Sequence, residues 1–225
     1  MSGPIAIDIW SDIACPWCYI GKRRLESGLA EYAASEDAVP VEITYHSFEL
    51  APETPVDFAG GVVDHLVKAK GLAPAQVQQM LERVTGLAAD EGLDYHFENV
   101  QHTNTVKAHQ LLHLAKAHGL QLEMKERLLK AYFEQGRHVG HVEDLADLAV
   151  EVGLDRDEVV RELTADTYLD AVHADQAQAR AYGINGVPFF VIDGKYGVSG
   201  AQEPATFVEV LSTVARERAG LVSQS

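Results

Sequence analysis

The chain is poor in cysteine, in basic residues and in long apolar runs, and each shortage excludes something. Among 225 residues there are two cysteines, Cys15 and Cys18. A secreted disulfide scaffold needs several pairs spread along the chain, so that class is excluded. A bridge between residues this close would constrain the unfolded chain little, so the pair is not a staple. Redox chemistry and metal binding remain. Lys and Arg total 18 against 34 Asp and Glu, a formal net charge of −16. Such a chain repels phosphate backbones and anionic lipid, which argues against nucleic-acid binding and electrostatic membrane docking. No run of about 18 apolar residues occurs, so no transmembrane helix is expected. The stretch from Met1 to Trp10 has no basic n-region and carries Asp8 inside its apolar run. No targeting segment is therefore expected, and the expected compartment is the cytoplasm. A disulfide there is usually catalytic or transient. What is present is ordinary: 47% hydrophobic and 23% charged residues, enough for one large domain or two small ones.

Periodicity divides the chain into three parts. Ile5 to Trp10 reads as a buried strand and Val41 to Phe48 as an alternating one. Between them a helical pattern runs through Ile20, Leu25, Leu29 and Tyr32. From Ala51 to about Thr164 only helical signals appear. Helices are expected over Gly61–Lys70, from Pro74, over Thr105–Ala117, Leu122–Gln135 and Val142–Val152, and from Asp155, where Glu158 is placed for a capping box. A last part carries a helix from Tyr168 to Tyr182, a strand over Phe189–Ile192, a turn at Asp193-Gly194, a returning strand over Lys195–Ser199, and a helix over Thr206–Glu217. Gly220 to Ser225 is expected to fray. No repeat period is found.

Chemistry concentrates where the first strand meets the first helix. In Cys15-Pro16-Trp17-Cys18, Pro16 suits the first helical position, which puts Cys15 at the N-cap and Cys18 one turn in. Helix-terminal N–H groups and the helix dipole favour a thiolate on Cys15, the attacking species in disulfide exchange. Cys18 can then resolve a mixed disulfide. Trp17 supplies no charge, and Asp12 and Glu26 work against the thiolate. Gly186-Val187-Pro188 opens the later strand, a place that tolerates proline. In this topology such a proline is often cis and lies against the redox pair, leaving the Val187 backbone free to pair with an extended peptide.

Together these residues resemble a known family. Ser11-Asp12 with Cys15-Pro-Trp-Cys18, Asn104-Thr105-x-x-Ala108-His109, Gly186-Val187-Pro188-Phe189-Phe190 and Ser199-Gly-Ala-Gln202 stand in the order of the DsbA family. The resemblance is to its FrnE-like branch, related to 2-hydroxychromene-2-carboxylate isomerase and kappa-class glutathione transferase. It implies an α/β protein, a thioredoxin fold with an inserted all-α helical domain. The thioredoxin-like part would be residues 1–50 and 173–225, the insertion residues 51–172, with Cys15 in the cleft between them. It implies cytosolic thiol–disulfide oxidoreductase chemistry, with Cys15 the nucleophile, Cys18 the resolving thiol and Pro188 the cis-proline. Trp17, Val187, Asn104 and His109 are the substrate-binding candidates. No tightly bound cofactor is implied, and glutathione is a candidate thiol partner beside protein or small-molecule thiols and disulfides. The isomerase and kappa-class relatives carry Ser where Cys15 stands, and both thiols here favour electron exchange. Some FrnE-like relatives add a second cysteine pair; this chain has none, so electrons must come from or go to another molecule. Kappa-class relatives dimerise, which leaves a homodimer open.

Competing readings attach to the same residues. A zinc site at the cysteines lacks a second ligand pair at suitable spacing. His138-Val-Gly-His141 and the His109/His113 pair have metal-binding spacing, yet solvated loop and packing roles fit them as well. Asn104 serves equally as a substrate contact or a helix cap. Trp10, Phe48 and Phe189 are expected in the core. A glutathione-dependent isomerase or transferase acting on an aromatic or polyketide-type small molecule is the alternative enzyme. A partner-binding module using the acidic surface is the non-enzymatic one.

Overall fold

A computed structural model describes residues 3–36 and 38–222, with the backbone alone at 221 and 222. β1 (Ile5–Ser11) lies inside a four-stranded sheet of order β2-β1-β3-β4, with β2 at Val41–Ser47, β3 at Phe189–Ile192 and β4 at Tyr196–Ser199. β2 runs parallel to β1, Ile5 facing Val41 and Ser11 facing Ser47. β3 is antiparallel to β1, with Trp10 facing Phe189, and β4 is antiparallel to β3. Parallel pairing needs a crossover, which α1 (Pro16–Ala33) supplies. The β3–β4 turn is as expected: Asp193 and Gly194 have φ of 57° and 63°, the left-handed pair of a type I′ hairpin. α9 (Pro204–Val222) packs beside α1. Ile5, Ile7, Ile9, Phe190 and Ile192 of the sheet bury against Leu25, Tyr32, Phe207, Leu211 and Val214 of the two helices. This is the expected thioredoxin arrangement. The tail expected to fray from Gly220 is helical through Val222; residues 223–225 lie outside the described residues.

Between β2 and the closing elements stand α2 (Val62–Lys70), α3 (Pro74–Asp90), α4 (Val106–Ala117), α5 (Gln121–Phe133), α6 (Val142–Val150) and α7 (Arg156–Thr164). Their apolar faces form a second core. Ile13, Tyr19 and Ile20, which flank the two cysteines, are buried in this core rather than in the sheet core. The β1–α1 corner is thereby inserted between the two cores. The junction expected at 172/173 falls inside α8 (Leu169–Ala181), which touches both α4 and β2. Phe48 and Phe189 are half-buried, packed at the edge of the cluster around Trp10.

A polar hub joins α8, α4 and the sheet. The buried Asp175 carboxylate accepts from His46 Nδ1 (2.8 Å), from the Ser47 amide (2.8 Å) and from His113 Nε2 (3.1 Å). Its carbonyl accepts from the Trp10 indole (3.0 Å), and Trp10 stacks on His46. His46 Nε2 faces Asp8 at 2.8 Å. Ser47, His113 and Asp175 are not a nucleophilic relay, because hydroxyl and carboxylate face the same ring nitrogen. Burial opposes the charge on His46, but Asp175 and Asp8 outweigh it and raise its pKa. Burial also opposes the charge on Asp175, yet His113, His46 and the Ser47 amide depress its pKa.

The signs fix a pH window. The raised pKa of His46 gives stability that is full below its unfolded value of 6.5 and is lost as pH rises through the folded value. The depressed pKa of Asp175 gives stability present above 3.8 and lost as pH falls through its folded value. Asp175→Asn leaves buried partners unpaired and should cost about 3 kcal/mol in urea unfolding at about pH 6. The loss of stability on raising the pH past neutrality should also be smaller in the variant. Unchanged stability at about pH 6 would sink the hub's role.

Candidate active site

At the end of β1 the chain turns through Asp12 into α1. Cys15 takes the N-cap in extended conformation (φ −92°, ψ 111°), and Pro16 is the first helical residue. The Cys18 amide donates to the Cys15 carbonyl at 3.0 Å. Both thiols are free and buried, at 3% and 2% exposure. Trp17 points outward at 40%. Across the cleft the Val187–Pro188 peptide is cis. Cys15 Sγ donates to the Val187 carbonyl at 3.5 Å. The Pro188 carbonyl is held by the Gly200 amide at 2.9 Å, whereas the Val187 amide makes no hydrogen bond among the described residues. Pro188 also lies on Gly21 of α1, where a Cβ would come within 2.9 Å of Pro188 Cγ. Cys15, Cys18, Trp17, Val187 and Pro188, all expected in the site, are thus brought together.

Asp12 underlies them. Its buried carboxylate accepts from the Leu50 amide at 2.8 Å and the Ala14 amide at 3.4 Å, and faces His109 Nε2 at 3.2 Å. Burial pushes the carboxyl up, but His109 and the Leu50 amide outweigh it and hold it below its ordinary value. The acidity expected for Cys15 is reversed, and the neighbouring thiol is the first cause. The hydrogen bond with Cys18, burial and Asp12 together push the Cys15 thiol well up. Burial pushes Cys18 up too, but the bond from Cys15, the Lys125 ammonium and the otherwise unpartnered Ser11 hydroxyl bring it below an ordinary thiol. A helix N-terminus is worth about 0.3–1 kcal/mol, up to about 2 in partly buried geometry. Here the neighbouring thiol and burial exceed it, and Asp12 adds to them. The two thiols are hydrogen-bonded to each other and ionise as one unit.

His109 is fully buried behind Asp12 and has no route to a substrate, so its expected direct contact is replaced by a hold on that carboxylate. The Asn104 amide donates to the Pro52 carbonyl and accepts from the Val106 amide, both at 2.8 Å, at the start of α4. Both its polar groups are engaged within the chain. The ligating atoms of Asp57, His138 and His141 lie within 4.8 Å of one another. The two imidazoles are stacked at 3.9 Å and 13°, however, so their in-plane lone pairs run side by side instead of converging. His138 Nδ1 accepts the Gly140 and His141 amides, and His141 Nε2 faces Asp57 at 2.8 Å, which makes the group a clasp on the loop before α6.

Two residues were not anticipated. Tyr95 donates from its hydroxyl to the Pro16 carbonyl at 2.7 Å while its ring stacks on Tyr19 and Phe133, tying the helix start to the second core. It also walls a cavity of about 540 Å³ together with Val62, Leu81 and Phe97. Lys125 is buried from α5. Its signal was available: Gln121, Met124, Lys125, Leu128, Leu129 and Tyr132 form one buried helical stripe, and a lysine on such a stripe is anomalous.

Comparison with known proteins agrees with this geometry. Residues 6–212 match the model of the DSBA-like thioredoxin domain. The crystal structure of probable DsbA oxidoreductase SCO1869 from Streptomyces coelicolor is 40% identical, with a TM-score of 0.85, covering 93% of this chain and 89% of that one. Uncharacterized protein YwbO of Bacillus subtilis (strain 168) is 29% identical over 92% of this chain and 96% of its own. Cytosolic disulfide reductase DsbM from Pseudomonas aeruginosa, crystallised with GSH, shares the fold at 16% identity and a TM-score of 0.65, covering 94% of this chain and 99% of that one.

The close approach of α1 to the proline gives a test of the cleft geometry. Gly21→Ala must push Pro188 or α1 aside, at about 1–3 kcal/mol. Thermal or urea unfolding should show that loss; a variant as stable as the parent would mean the contact is slack.

Proposed function

The chain belongs to the DSBA-like thioredoxin domain family, and from that premise we propose that it exchanges thiols and disulfides through Cys15 and Cys18. One observation carries this: two buried thiols sit at the first turn of α1, and Cys15 faces the Val187 carbonyl at 3.5 Å. A substrate strand laid along Val187 meets its unpaired amide, and the exposed Trp17 ring forms an apolar rim. Main-chain pairing of this kind binds extended segments with little regard to sequence.

Cys15 is the sulfur that bonds to substrate. In the oxidising sense a substrate thiolate attacks Cys15 of the Cys15–Cys18 disulfide, that bond breaks, and its electron pair leaves on Cys18. A low thiol pKa makes a faster leaving group, and Cys18 is the sulfur whose charge the site favours. A second substrate thiolate then attacks the substrate sulfur of the mixed disulfide and displaces Cys15. In the reducing sense the same steps run backwards, and Cys18 closes on Cys15. With no further cysteine in the chain, a second molecule must restore the pair. Glutathione in the cytoplasm is our choice, and the glutathione-bound DsbM structure of the same fold supports it. A glutathione-dependent isomerase needs no such thiol pair, so the coupled thiols support electron exchange instead.

Cys15→Ser should reduce insulin-disulfide reduction and dithiol oxidation to background. Cys18→Ser should still trap one glutathione on Cys15, seen as a mass adduct, without completing turnover. Full activity in Cys15→Ser would overturn the proposal.

A further inference from the structure

Residues 51–61 form neither helix nor strand, yet four of the chain's ten histidines converge on three consecutive residues there, Val56, Asp57 and Phe58. The Val56 carbonyl accepts from the Thr103 hydroxyl at 2.8 Å and from His138 Nε2 at 3.3 Å. The Asp57 carboxylate faces His141 Nε2 at 2.8 Å. The Phe58 ring stands edge-on to His102, from the loop before α4, and to His65 of α2, at 5.3 and 5.9 Å between centroids. Two of the four rings have room for one protonation state only. His138 Nδ1 accepts the Gly140 and His141 amides, so it carries no proton, and Nε2 keeps the hydrogen it gives to Val56. A proton on Nδ1 would set a third N–H against those two. His102 is buried, with Nδ1 facing the Tyr132 hydroxyl at 3.0 Å and Nε2 without a partner among the described residues. Its ring lies 3.9 Å from that of His65. A cation on His102 would meet a second imidazole and leave one N–H unanswered in the interior. The other charged and titratable groups facing these rings are Asp144 beside His141, Lys68 on α2, Tyr132 on α5 and Asp12 at the β1–α1 corner.

We propose that residues 52–61 are a strap that acid releases: His102 and His138 hold it while neutral, and protonation of these two rings opens it. Proton uptake at His138 breaks both amide bonds at Nδ1 and turns the ring from the Val56 carbonyl. Uptake at His102 drives that ring toward water and removes the seat of Phe58. His141 keeps its hold on Asp57, but that pair is exposed and worth little, so release passes through Val56 and Phe58 on either side of it. Burial pushes all three remaining imidazoles down: His102 to about 4 with His65 beside it, His138 with His141 beside it, and His65 with Lys68 beside it. The closed strap therefore binds these protons less well than the open one, where an imidazole titrates near 6.5. Closure is complete above 6.5 and is lost as the pH falls below it toward the closed-state values. The strap begins two residues after Leu50, whose amide holds Asp12, and it covers the buried Thr103. The thiols take no part in its opening.

The test follows the full chain by NMR from about pH 7.5 to about pH 5. Hydrogen-exchange protection of the Gly140 and His141 amides, corrected for the intrinsic effect of pH on exchange, should fall about tenfold per pH unit below 6.5. Over the same range the backbone order parameters of Val56, Asp57 and Phe58 should drop from rigid to flexible values, while the amides of α4 and β1 keep their protection. A strap that stays rigid down to about pH 5, or that loosens only as α4 and β1 do, overturns the proposal. His102→Phe combined with His138→Asn removes both protons, and the asparagine keeps an acceptor near the place of Nδ1. The order of Val56, Asp57 and Phe58 should then be the same across the range, and a loss equal to the parent's overturns the proposal. Should that variant fail to fold, the imidazole titrations of the native chain decide. Midpoints for His102 and His138 below 6.5 support the strap, and midpoints at or above 6.5 overturn it. None of these readouts needs thiol exchange, so a chain without that activity still tests the strap.

Discussion

The hydrogen bonds to one buried carboxylate hold the site in shape. Asp12 closes the corner between β1 and α1, and its carboxylate is held by the Ala14 amide of that corner, by the Leu50 amide just before the insertion and by His109 from within α4. A buried charge is tolerated only when its partners are present, so these contacts are obligatory rather than decorative. They carry the sheet and the helical block to a common point, and the two cysteines lie at that point. The same charge adds to what opposes a thiolate on Cys15, after the hydrogen bond with Cys18 and burial. The bond between the two thiols opposes the charge on Cys15 and favours it on Cys18.

The insertion therefore does more than cover the sheet. Ile13, Tyr19 and Ile20 give the active-site corner its anchor in the helical core, and Tyr95 bonds the first helical carbonyl from the same side. The sheet contributes the other wall, with Val187 and Pro188 opening β3. At the same end of β1, on the side of β2, Asp175 ties α8 and α4 to the sheet through hydrogen bonds. Two polar hubs, one beneath the thiols and one beneath Trp10, thus fasten two apolar cores whose contact would otherwise carry little directional information.

Much of this was legible in the residues. Ile5 to Trp10 is the β-branched and aromatic run of a buried strand, Pro16 marks the first helical residue, and Asp193-Gly194 names its turn. These are local signals, and local signals survive folding. The residues of the cleft were legible through the pairing of Cys15 and Cys18 with Val187 and Pro188. What escaped depends on distance. His109 carries the same imidazole wherever it lies, and only the packing of α4 on the corner shows that it serves Asp12. The acidity of the thiols follows from burial and their mutual hydrogen bond, with Asp12, Lys125 and Ser11 adding to these, and Lys125 is more than a hundred residues away along the chain. Lys125 itself left a trace, a cation on an apolar stripe, but its partner cannot be named from one helix alone.

At 3% exposure, Cys15 is reached by a thread and not by a face. Under the exchange proposed above, a sulfur on a slender segment is suited to that approach, and one set in a broad folded surface is not. The proposed chemistry would then select by girth before sequence.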